Sequence, residues 1–250
     1  MSFDLSWLEA TLLAAVRMTA FLVIAPPFSY RAFPARVKAM LGIGLALAVA
    51  PRVAPGYVSL ETGPFVMALV LELVVGAVLG FLVFVAFAAV QAAGSLIDLF
   101  GGFTLAQAFD PQSMVNGAQF TRLFQMTALA LMFATGGYQL IIGGLTRSFD
   151  AVPLGLGMDL SRPVELLTTG VSQLFLSTIQ IAGPLCVVLF LADVGLGLLS
   201  RVAPALNAYA MGFPLKILMT VMLAGGVFLA LPGVVASLTG DAADMLLGVG

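Results

Sequence analysis

Long apolar runs, separated by proline, glycine and isolated charges, organise this chain. A helix needs about 20 apolar residues to cross a bilayer core. The first such run extends from Trp7 to Ala25, broken only by Arg17, and stops at Pro26-Pro27. Proline has no N–H and disfavours helix in the residue before it. A basic loop with Arg31, Arg36 and Lys38 leads to a short run from Met40 to Ala50, closed by Pro51. That length fits a half-spanning or partly re-entrant helix, or one lengthened by residues 35–39. Arg52 to Pro64 reads as a loop. The run from Phe65 to Val90 carries only Glu72, with a continuation through Gln91 to Phe100 left open and Asp98 near its end. Gly101-Gly102 breaks it, since paired glycines lose the most backbone entropy in a helix. Phe103 to Phe120 is more polar and reads as an ordered loop turning at Asp110-Pro111 and Asn116-Gly117. Leu123 to Ile142 is the next span, and Arg147 to Glu165 a polar loop. Val171 to Leu199 follows, containing Pro184 and Asp193. Arg201 to Pro214 reads as a turn region, Ile217 to Leu238 as the last span, and Asp241 and Asp244 make the tail acidic. The pattern predicts an all-α, multi-pass membrane protein of about six hydrophobic helices, some broken or re-entrant. It shows no soluble domain and no clear repeat.

Composition sharpens this picture. Apolar residues make up 61% of the chain and charged residues 9%, where a soluble domain carries roughly 25% charged residues. Mean hydropathy is +1.14. So few charges cannot cover a surface in water, so lipid or neighbouring protein must surround the helices. Without a basic tract, nucleic acid is not a partner. There is no histidine, and the one cysteine, Cys186, sits in an apolar run where it reads as a small buried hydrophobe. Zinc, haem and Ser-His-Asp chemistry therefore lack their residues, and no cofactor is expected. Asp4 and Glu9 occupy what would be the positive region of a signal peptide, so the first run is expected to be a retained helix. Loops after odd-numbered spans hold Arg31, Arg36, Lys38, Arg122, Arg201 and Lys216, against Arg52, Arg147 and Arg162 after even ones, which favours an outside N-terminus if every helix spans.

Four ionisable groups interrupt apolar runs: Arg17, Glu72, Asp98 and Asp193. A bare charge at mid-bilayer costs about 3 kcal/mol or more, so each needs a partner, a wet cavity or an interface. One reading is a proton or ion pathway; the other is pairing between helices or between subunits. Gly76 and Gly80 form a GxxxG pair that permits close helix approach. In residues 101–120, glycines flank Phe103, Leu105, Phe109 and Met114. Irregular backbone at membrane depth must be buried in protein or line a cavity, and apolar constrictions expel water. Such a segment can stopper a pore; a surface loop is the alternative.

Several segments, in order, carry a family resemblance. They are Ala25-Pro26-Pro27-Phe28, Phe33-Pro34-Ala35-Arg36-Val37-Lys38, Ala50-Pro51, the stretch from Gly94 to Phe109-Asp110-Pro111, and Pro153-Leu154-Gly155. Leu198-Leu199-Ser200-Arg201-Val202-Ala203-Pro204 and Gly212-Phe213-Pro214-Leu215-Lys216 complete the set. With length and span count, these cover nearly the whole chain, which resembles the FliR/SctT family of export-gate components. The resemblance implies a non-enzymatic core subunit of the flagellar type III protein-export gate. In such a gate FliP-like and FliQ-like subunits form a closed helical hetero-oligomer that passes unfolded axial proteins. FlhB-like and FlhA-like export proteins, membrane lipid, the inner cell membrane and the flagellar basal body complete the implied setting.

The resemblance further implies a FliP-like part over residues 1–166 and a FliQ-like C-terminal hairpin over 167–250. It makes the segment at about 101–120 a plug. Gly101 and Gly102 are then hinges, and Phe103, Leu105, Phe109, Asp110, Pro111 and Met114 belong to the plug or pore. Ala108 stands where relatives often place an aromatic residue. The alternatives are the equivalent subunit of a virulence secretion system, or a secondary transporter or channel for small solutes.

Overall fold

The computed structural model describes residues 5–30, 33–104, 119–156, 161–203 and 208–248, with side chains except those of 161–163 and 208–211. The principal helices are α1 (Leu5–Ile24), α2 (Ala35–Val53), α3 (Thr62–Phe100), α4 (Gln119–Ala134), α5 (Gly137–Ala151), α6 (Ser161–Val202) and α7 (Ala208–Leu247). Among the described residues there is no β-strand.

Three helices are far longer than one crossing requires. Helices α3, α6 and α7 have 39, 42 and 40 residues. At 1.5 Å per residue each runs about 60 Å, twice the hydrocarbon thickness. Pro184 lies within α6, and Pro214 and Pro232 within α7, without ending them. Neighbouring helices in an apolar setting sustain such interruptions. Four helices (α1, α3, α6 and α7) are long and apolar enough to cross a membrane, and the bent pair α4–α5 makes a fifth candidate.

The observed elements depart from the sequence pattern in several places, α7 among them, which runs past Leu238 through the acidic tail to Leu247. Helix α2 begins at Ala35, the lengthened form of the Met40–Ala50 run, but it continues through Pro51 to Val53 where the pattern closes it at Pro51. The Leu123–Ile142 run is not one straight span: it bends by 75° between α4 and α5. Gly136, at φ +74, stands at the break in a conformation that side chains other than glycine rarely adopt. The Arg147–Glu165 stretch is helical up to Ala151 and again from Ser161. Here the Thr146 and Ser148 hydroxyls donate to Gly143 and Leu145 carbonyls, so polar side chains are satisfied inside the helix. The Arg201–Pro214 turn shrinks because α6 reaches Val202 and α7 starts at Ala208.

The chain forms two compact units. The first comprises Met1–Phe87, Thr135–Ser172 and Ser237–Gly250. Its core holds Leu13, Met18, Phe21 and Leu22 of α1, Leu79 and Leu82 of α3, and Ile141 and Leu145 of α5, all fully buried. Close approach within it depends on glycine: a Cβ at Gly42 would run into Thr19, one at Gly76 into the Arg17 carbonyl, and one at Gly80 would lie 3.0 Å from the Phe21 carbonyl. The second comprises Ala88–Ala134 and Gln173–Ala236. Phe124 and Met132 of α4, Leu189 of α6 and Leu231 of α7 are fully buried there.

Candidate functional site

Two of the four charges that interrupt apolar runs meet each other. Arg17, in the middle of α1, is 0% exposed, and Glu72, on α3, is 1% exposed. Gly76, one turn after Glu72, lets α3 approach the α1 backbone closely enough for the pair to form. The guanidinium grips the carboxylate with two bonds, Nε to Oε2 at 2.5 Å and Nη2 to Oε1 at 3.0 Å. Nη1 donates to the Ser148 carbonyl at 3.3 Å, and the guanidinium carbon lies 4.2 Å from the Phe149 ring centroid. Glu72 Oε1 also accepts the Gly155 N–H at 3.0 Å. A planar fork on a carboxylate, with an aromatic face alongside, is what arginine does and lysine cannot. The network ties α1, α3, the end of α5 and the turn after it. Among the described residues no fully buried side-chain nitrogen or oxygen lacks a partner.

Asp98 belongs to the second unit and is 0% exposed. It sits in the last turn of α3 and accepts the backbone N–H groups of Phe120 and Thr121, at 2.9 and 2.8 Å, and the Thr121 hydroxyl at 2.9 Å. These are first-turn donors of α4, which have no partner inside their own helix. A carboxylate there also meets the positive end of the helix dipole. One turn earlier on α3, a Cβ at Gly94 would collide with the Thr121 backbone, so the two helix ends meet through a glycine. Asp98 thus caps a helix that starts 21 residues after it in sequence (119 − 98).

Beside this cap the chain leaves α3. Gly101 lies where a Cβ would be 2.8 Å from both the Ile97 carbonyl and the Thr220 hydroxyl, and Gly102 has φ +83. The first position needs the space and the second the conformation. Phe103 stacks edge-on against Phe120 at 5.2 Å, Phe120 meets Phe124 at 6.0 Å, and Phe124 meets Phe228 at 5.2 Å. Leu105, Phe109, Asp110, Pro111 and Met114 lie outside the described residues.

Asp193 on α6 pairs with Lys216 on α7, Oδ2 to Nζ at 2.9 Å, with side chains 45% and 16% exposed. It is the most open of the four charges.

Other polar ties have no local signature in the sequence. Glu9 accepts Ser59 Oγ at 2.7 Å and the Leu60 N–H at 3.2 Å, which straps the segment after α2 to the start of α1. Burial, and then the charge of Glu9, push the Tyr57 phenol above its usual range. Arg52 and Asp150 form an exposed pair. Their separations of 50 and 98 residues put them beyond any sequence rule of spacing, although the acid-poor composition marks each carboxylate as worth following.

Comparison with known proteins adds the following. The profile of the bacterial export proteins, family 1, matches residues 8–242. The flagellar biosynthetic protein FliR of Escherichia coli K12 is 34% identical over 213 residues, 85% of this chain and 82% of that protein. FliR of Pectobacterium carotovorum is 30% identical over 99% of this chain and 95% of its own. The surface presentation of antigens protein SpaR of Shigella flexneri is 30% identical over 61% of this chain and 59% of its own length.

Proposed function

The chain belongs to family 1 of the bacterial export proteins, and from that membership we propose that it works as a core subunit of the flagellar type III protein-export gate. The match over residues 8–242 carries this reading. Flagellar use is favoured because FliR relatives align over 82–95% of their own length, the surface presentation of antigens protein SpaR over 59%. The family is a structural component of the export apparatus, and we assign this chain no reaction.

In this reading FliP-like and FliQ-like subunits are the immediate neighbours, FlhB-like and FlhA-like proteins stand nearby, and the assembly sits at the inner membrane. Exposed surface supports the need for such neighbours. In α3, 61% of the most apolar stretch is buried within the chain; in α7 the figure is 17%. Phe175, Ile179, Val187 and Phe190 of α6 and Val221, Met222 and Leu229 of α7 are all more than half exposed. Apolar helices about 60 Å long exceed what lipid alone covers, so sister subunits are the fitting partner for the remainder. Within this reading we assign a FliP-like part to residues 1–166 and a FliQ-like hairpin to 167–250.

Residues 101–120 are the proposed plug, with Gly101 and Gly102 as hinges and Phe103, Leu105, Phe109 and Met114 as its apolar contacts. The Asp98 cap and the Phe103–Phe120 ring contact hold the neck from which that segment departs. Deleting residues 103–119 in an otherwise intact gate is expected to make cells leak ions, because an apolar seal is removed. A normally assembled gate that stays tight after the deletion refutes the plug. Purification in mild detergent is expected to bring down FliP-like and FliQ-like subunits; recovery of the chain alone, transporting a small solute in liposomes, refutes the gate assignment.

A further inference from the structure

The segment between α2 and α3 has little of its own to hold it in place. Pro55-Gly56, with Gly56 at φ +90, turns the chain after α2, and residues 57–61 then run without regular structure to the start of α3 at Thr62. Val58 is 77% exposed and Leu60 36%, and Ser59 and Glu61 are exposed as well. Among the described residues, no backbone–backbone hydrogen bond ties Val58, Ser59 or Leu60 to the rest of the chain. A segment with few buried apolar contacts and no backbone ladder opens at low free-energy cost.

One carboxylate on α1 gathers it. Glu9 Oε1 accepts the Ser59 hydroxyl at 2.7 Å. Its Oε2 accepts the Leu60 N–H at 3.2 Å and the Tyr57 hydroxyl at 3.5 Å. Three of the five residues in the segment therefore bond to a single side chain.

The segment rests on the neighbours of the buried ion pair. Leu60 Cδ1 lies 3.9 Å from the position a Gly155 Cβ would take, and the Ala68 Cβ lies 3.5 Å from the same point. Ala68 is 2% exposed and stands about one turn before Glu72 on α3. The Gly155 N–H donates to Glu72 Oε1 at 3.0 Å, the oxygen that also accepts Arg17 Nη2. Tyr57 is close to both carboxylates: burial, then the charge of Glu9, and last that of Glu72 raise its phenol. Leu60 thus covers the glycine, and the glycine closes on the carboxylate. A charge pair draws its strength from a low local dielectric and weakens where water enters.

We propose that residues 57–61 are a releasable strap, latched by Glu9, whose Leu60 seals the Gly155 side of the Arg17–Glu72 pair against water. With the strap down, the Gly155 amide stays on Glu72 and the pair stays dry. With it lifted, water reaches that amide and the carboxylate behind it while the helices remain folded.

Hydrogen exchange tests this, followed by mass spectrometry at peptides spanning residues 57–61 and 152–156. The full chain is used in mild detergent with whatever subunits co-purify. Glu9→Gln keeps the shape of the side chain and removes its charge and one acceptor. A hydrogen bond to a charged group corresponds to about tenfold or more in an opening equilibrium, so both peptides are expected to exchange faster by that factor. The α1 core, residues 13–22, is expected to exchange as in the parent. Leu60→Ala removes the cover and leaves the latch: protection is expected to fall at Gly155 and to persist at the residue 60 amide. Glu61→Gln, at the exposed carboxylate beside the strap, is expected to change neither peptide.

Unchanged exchange at 57–61 in Glu9→Gln overturns the latch, and an equal effect from Glu61→Gln does so too. A faster strap with Gly155 unaffected in both Glu9→Gln and Leu60→Ala overturns the seal. Faster exchange in the α1 core of Glu9→Gln also overturns the device, because Glu9 then supports the whole fold. None of these readouts depends on export, so the gate assignment stands or falls separately.

Discussion

Arg17→Met isolates the role of the buried ion pair. Methionine keeps the unbranched apolar bulk of the side chain and removes the guanidinium. Glu72 then remains at 1% exposure with the Gly155 N–H as its one recorded donor, where it had three. Stranding one member of a buried pair costs about 3–5 kcal/mol. For a chain of this size, 1 kcal/mol moves Tm by about 2–4 °C, so a drop of about 6–20 °C is expected. The assay is thermal unfolding of purified protein in mild detergent, run on Arg17→Met, Glu72→Leu and the double variant. A buried pair replaced wholly by apolar groups is often neutral, so the double variant should recover most of the loss. Two outcomes refute this reasoning. One is a single variant as stable as the parent. The other is a double variant that folds and assembles normally while export stops, because the pair then does more than hold helices together.

Asp98→Ala strands the Phe120 and Thr121 amides and the Thr121 hydroxyl, at about 1–3 kcal/mol for each buried donor; a lower Tm and less complex recovered are expected, with Thr121→Val milder because it removes one bond. Gly76→Leu places a side chain against the Arg17 carbonyl and should abolish folded protein on size exclusion, whereas Gly44→Ala, with open space around it, should behave as the parent. Asp193→Asn breaks a half-exposed pair worth about 0–1 kcal/mol in the chain alone, so Tm of the isolated chain should hardly move. If that carboxylate meets a neighbour in the gate, co-purified subunits should fall, and unchanged recovery speaks against such a contact.

Much of the architecture was legible because hydropathy alone specifies it. The α1, α3, α6 and α7 helices all fall on apolar runs, and Pro26-Pro27 and Gly101-Gly102 end the first two as their backbone chemistry requires. Helix length was less legible. The Ala151 end lies in polar sequence and the Val202 end just past Ser200-Arg201, where packing and side-chain bonds to the helix backbone extend a helix past its apolar stretch. The charges were legible as anomalies, not as pairs. Arg17 and Glu72 are 55 residues apart, and no periodicity links them. Asp98 was visible as a carboxylate near a helix end, but its service to the next helix depends on a fold that returns Phe120 to its side.

The Arg17 fork also bears on how the protein is made. Arg17 emerges from the ribosome 55 residues ahead of Glu72. At about 5–20 residues per second, the first hydrophobic segment waits about 3–11 s for its counter-charge. During that interval insertion of this segment is penalised by about 3 kcal/mol for the unmatched cation. Pairing with the third helix therefore strengthens retention of the N-terminal segment in the bilayer, so nascent chains arrested before residue 72 should be extracted by alkaline carbonate more readily than the released full-length chain.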